Sequence, residues 1–130
     1  MKQLLYLFSV ALGGIIGSTA RYATNLLITR PSVSTFPWST FVVNICGSLL
    51  AGILLALATK YNISHATKLF IFVGILGAFT SFSAFALENF LLFTSGKIFL
   101  ALTNIVVSNV IGVVVFALGF FTTQFLMHCK

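Results

Sequence analysis

The chain has 130 residues, 59% of them apolar and only 6% charged, at a mean hydropathy of +1.14. Soluble domains carry about a quarter charged residues, so this composition excludes one and marks an integral membrane protein. The net charge of +6 comes from seven scattered basic residues against one acid, with no cluster that would serve as a nucleic-acid or lipid-headgroup patch.

Four apolar stretches follow one another: Leu4 to Ile28, Trp38 to Thr59, Leu69 to Phe93 and Ile98 to Leu126. Each reaches the ~20 residues a helix needs to cross a bilayer. The predicted fold is therefore all-α, a single domain over residues 1–130 in which four transmembrane helices leave almost no soluble part.

The first stretch starts behind Lys2 and offers small residues at Ser18-Thr19-Ala20, as a cleaved signal would, but its apolar run continues beyond Arg21-Tyr22 and reads as a retained span. Gly13 and Gly17 stand one turn apart, a spacing that lets backbones approach closely where lipid removes the hydrophobic drive between helices. Arg21 admits two readings, a snorkelling side chain beside Tyr22 at the interface or an electrostatic group in an aqueous vestibule.

In the second stretch Asn44, Ser48 and Gly52 share one helix face, and the Asn44 amide brings two N–H donors and an acceptor to mid-membrane. A lone Asn there is explained by a hydrogen bond gluing two helices. It is not alone.

The third stretch carries Gly77-Ala78-Phe79-Thr80-Ser81-Phe82-Ser83-Ala84-Phe85, hydroxyl-rich and glycine-weakened where a spanning helix should be most uniformly apolar. Unpaired backbone groups are expensive in lipid, so such a patch survives only against protein or a water-filled cavity, and it marks an internal pathway or binding site. Phe82 and Phe85 share a face; ring edges are electropositive, and beside hydroxyl and amide donors they suit a small anion. Glu88, near the end of the span, reads as a helix-end partner for a Lys or a backbone donor.

The fourth stretch adds Asn104, Ser108 and Asn109, with Asn104, Ser108 and Gly112 on one face. A helical hydroxyl often only bonds back to a carbonyl one turn earlier. Six polar residues in the third and fourth spans exceed that explanation and form a possible hydrogen-bonding track.

The connections are short, so consecutive helices are antiparallel neighbours. Lys2, Lys60, Lys68 and Lys130 then fall on one side of the membrane against Arg21, Arg30 and Lys97 on the other. That weak contrast leaves open a single topology set by the first helix, or insertion both ways round to give an antiparallel homodimer. Catalysis finds no footing: one acid excludes carboxylate pairs, His65 and His128 lie outside the spans, and no nucleophile stands near a base. Cys46 and Cys129 read as free thiols.

Gly13 to Tyr22 fits the pattern GGxxGxxxRY, Thr40 to Gly47 fits TxxxNxxG, and Gly74 to Glu88 follows GxxGGxTTFSTFxxE except at Ala78, Ser81 and Ala84. In these motifs the chain resembles the Fluc (CrcB) family of small fluoride channels. The resemblance implies a passive, fluoride-selective channel that lets cytoplasmic fluoride leave through a prokaryotic inner membrane. It also implies an antiparallel dual-topology homodimer with a third helix broken near its middle, whose partners are fluoride, lipid and a second copy. Carried over by it, Asn44, Phe82, Phe85, Ser81, Ser83, Ser108 and Arg21 belong to the fluoride pathway, with the two rings meeting the ion edge-on. Backbone carbonyls of Gly77 and Thr80 would hold a structural sodium ion at the dimer interface. Two other readings are a small multidrug-type exporter, which needs a carboxylate in its first helix where this chain has none, and a non-transporting assembly subunit whose polar residues only lock helices together.

Overall fold

The computed structural model describes residues 1–28 and 35–129, and its regular structure is helical throughout. Arg30 and Lys130, two of the charges in the contrast between the two sides, lie outside the described residues. Helix α1 spans Lys2–Ile28 and α2 spans Trp38–Lys60. The third span is divided into α3, residues 65–79, and α4, Phe82–Thr94; α5 spans Ile98–His128. Counting α3 and α4 as one, four spans among the described residues are long and apolar enough to cross a membrane.

Helix ends follow local chemistry. The third span starts at His65, ahead of the apolar run at Leu69, because the Ser64 hydroxyl accepts the Thr67 N–H at 3.2 Å and caps an extra turn. The end of α4 is closed by Gly96 at φ +77°, where a left-handed residue lets the Lys97 N–H reach the Leu92 carbonyl at 2.9 Å and the Gly96 N–H the Phe93 carbonyl at 3.1 Å. Between them α3 is widened into a π-helix from Leu69 to Leu76.

Helix α1 lies along α3, α2 lies along α5, and α4 leans on α5. The small residues predicted to allow close approach are at these seams. A Cβ on Gly13 would stand 2.8 Å from the Gly74 Cα, so neither position has room for a side chain. Gly52 meets the Phe116 carbonyl of α5 in the same way. The core is small, centred on Val43, Ala56 and Ala101, while large side chains such as Phe8, Leu26, Phe99 and Phe121 face outward, as lipid permits.

Candidate functional site

The third span breaks at Thr80 and Ser81, which leave the helical region for extended backbone (ψ 156° at Thr80; φ −144°, ψ 104° at Ser81). Gly77, the residue expected to loosen the chain, is itself helical at φ −63°. The cause of the break is a neighbour: Asn44 on α2 takes the Ser81 N–H on its Oδ1 at 2.9 Å and gives its own Nδ2–H to the Ser81 carbonyl at 3.4 Å. In an unbroken helix that N–H would belong to the Gly77 carbonyl. The Ser81 hydroxyl then accepts the Ala84 N–H at 3.2 Å and caps α4.

Two concavities flank this clamp. On one side a groove of about 210 Å³ is lined by Asn44, Ser48, Phe82, Phe85, Ser108, Asn109, Gly112 and Val113. It gathers Asn44, both phenylalanines and Ser108 from three helices, and every side chain in it is neutral. The rings of Phe82 and Phe85 stand 5.7 Å apart at an interplanar angle of 40°, and Phe82 is 78% exposed. Asn44 keeps one amide proton beyond the one given to Ser81.

On the other side a cavity of about 430 Å³ holds Arg21, Ser81 and Ser83 with Asn25, Thr40 and Val43. Ser81 and Ser83 place their hydroxyl oxygens 3.3 Å apart. Whichever donates to the other, one proton of the pair is left for a ligand. The Arg21 guanidinium turns inward and gives Nη1–H to the Thr80 carbonyl at 3.5 Å. The residues expected on the pathway thus divide between two concavities on either side of the Asn44–Ser81 clamp.

Several residues of the site escaped the sequence reading. Thr40 entered only as a motif position, yet it donates to Glu88 Oε1 at 2.6 Å, a hydroxyl where a Lys or backbone partner was expected; Glu88 Oε2 is buried without a partner among the described residues. Asn25 bonds Ser39 across the α1–α2 pair. Asn89 was overlooked beside the conspicuous Glu88, although it lies one turn past Phe85; it is buried and bonded to Asn104 at 3.0 Å. The spacing from Arg21 to Asn25 and from Thr40 to Asn44 is one helical turn, a signal that would have found both.

Among the described residues no cluster of three or more His, Cys, Asp or Glu exists to hold a metal. A hard cation would depend on neutral oxygens. The break supplies them, since the carbonyls of Gly77 to Phe79 at the end of α3, and that of Thr80 just beyond it, lose their helical partners. Gly77 is exposed, whereas the Thr80 carbonyl already faces Arg21. Neutral carbonyl oxygens of this kind fit the donor chemistry of a sodium ion.

The family described as CrcB-like protein, Camphor Resistance (CrcB), matches residues 8–120. A protein of Salinibacter ruber named fluoride-specific ion channel FluC is 39% identical over 95% of this chain and 93% of its own length. Proteins of the same name from Azobacteroides pseudotrichonymphae and Methylobacillus flagellatus are 40% and 46% identical, over 92% and 85% of this chain and 96% and 88% of their own. With the motifs, the broken span and likeness over nearly the whole chain in agreement, the chain belongs to the CrcB family.

Proposed function

We propose that this protein is a fluoride-selective passive channel that lets fluoride leave the cytoplasm. HF crosses bilayers and dissociates inside to an ion that cannot return, so a passive route outward relieves the cell. The observation that carries the reading is the groove where Asn44, Phe82, Phe85 and Ser108 converge without a charged side chain. Fluoride binds water tightly, and leaving it needs donors that are close yet not so strong that the ion stays. Amide protons and ring edges meet that need. The arrangement does no covalent chemistry, and we assign no enzyme activity.

The working unit in this proposal is an antiparallel pair of chains inserted in opposite orientations, supported by the near balance of Lys and Arg on the two sides. The Gly77 and Thr80 carbonyls of both copies would together hold sodium. A multidrug-type exporter is disfavoured because α1 carries no acid. Liposomes loaded with potassium fluoride or chloride and opened to potassium by valinomycin test the reading. Rapid fluoride efflux without chloride efflux is expected; silence from a folded protein would leave an assembly subunit as the better account.

A further inference from the structure

Behind the groove a line of side chains runs from the half-buried Ser108 through the buried Asn104 to the buried Asn89. The Ser108 hydroxyl donates to Asn104 Oδ1 at 3.0 Å, Asn104 Nδ2 donates to Asn89 Oδ1 at 3.0 Å, and Asn89 Nδ2 donates to the Phe85 carbonyl at 2.7 Å. Asn104 is 1% exposed and Asn89 4%, so no solvent competes for the bond between the two amides.

The direction of the chain follows from its last member. A backbone carbonyl only accepts, so Asn89 must turn its NH₂ toward Phe85 and its oxygen toward Asn104. Asn104 must then answer with its NH₂ and present its own oxygen to Ser108, and Ser108 must donate. The hydroxyl proton of Ser108 is therefore committed away from the groove, and the oxygen shows only lone pairs to it. Turning the proton outward would strip a buried acceptor of its donor.

We infer that Ser108 faces the groove as a hydrogen-bond acceptor, that its ligand there is a water molecule rather than the bare anion, and that Asn104 and Asn89 are the positioning residues that keep it so. This rests on the fluoride reading and revises the role of Ser108 within it. A water held by Ser108 and pointing its other proton into the groove meets the ion in place of the hydroxyl. Binding at this position is weaker as a result, which favours release.

The test is the fluoride concentration giving half-maximal efflux from liposomes. Asn104→Leu frees the Ser108 proton and should lower that concentration about tenfold, the value of one hydrogen bond to an ion. Adding Ser108→Ala to Asn104→Leu should abolish the gain. Asn89→Leu lets Asn104 turn its amide and should act in the same sense, although Asn89 does not line the groove. Asn89→Asp in its protonated form gives O–H to the Phe85 carbonyl and its other oxygen to Asn104, and should leave the wild-type value. Gel filtration shows which variants are folded, and the two Asn89 variants decide the matter if Asn104→Leu is not. Equal values for Asn89→Leu and Asn89→Asp, or a gain that survives Ser108→Ala, would overturn the inference while wild-type flux keeps the channel reading intact. No wild-type fluoride flux would remove both.

Discussion

Asn44 joins two tasks in one side chain, since it lines the groove and holds both polar groups of the Ser81 backbone. Asn44→Ala should therefore lower stability by about 1–3 kcal/mol, the cost of buried polar groups left unpaired, as well as slow fluoride efflux. The thermal midpoint in detergent and liposome flux check the two effects separately. Ser81→Ala removes the cap of α4 and one of two linked hydroxyls; a loss of about 0.5–2 kcal/mol is expected, with reduced flux. A stable, fully active Ser81→Ala protein would remove Ser81 from the pathway. At this scale the amide and hydroxyl types were legible as polar groups in an apolar setting, because that contrast is visible residue by residue. Their partners were not. Thr40 and Glu88 are 48 residues apart in sequence, and nothing along the chain announces that bond.

The helices themselves were readable because a bilayer imposes one length and one polarity on every span, and four stretches of this chain satisfy both. The location of the break was less so. Its sequence signal was Gly77, but the backbone turns at Thr80–Ser81, where Asn44 reaches across from another helix. A break made by a tertiary contact leaves no glycine to mark it. Close packing, in contrast, did follow the small-residue spacings. Gly13→Val should force α1 from α3 and cost about 1–3 kcal/mol or more, read as a lower yield of folded protein by gel filtration. Gly14→Ala is its control. A Cβ there meets nothing within 4 Å, so the protein should be unaffected or slightly stabilised.

For the whole molecule the questions are orientation and number of copies. If opposite insertion is needed, Asn62→Lys with Ser64→Lys should bias the chain to one orientation, and Ser95→Lys with Thr94→Lys to the other. Each variant alone should lose most fluoride efflux, and co-expression of the two should restore it; full activity from either alone would exclude the antiparallel pair. Replacing sodium with a large organic cation during purification should lower the thermal midpoint if carbonyls from two copies share an ion. The groove has one more consequence at this scale. None of Asn44, Ser48, Phe82, Phe85, Ser108, Asn109, Gly112 and Val113 carries a group that gains or loses a proton in the cell, so nothing in its lining can serve as a gate set by acidity. As far as this groove sets the rate, efflux at a fixed concentration of free fluoride should stay level from mildly acidic to mildly alkaline medium, and the groove works as an open drain whose traffic is governed by the supply of the ion.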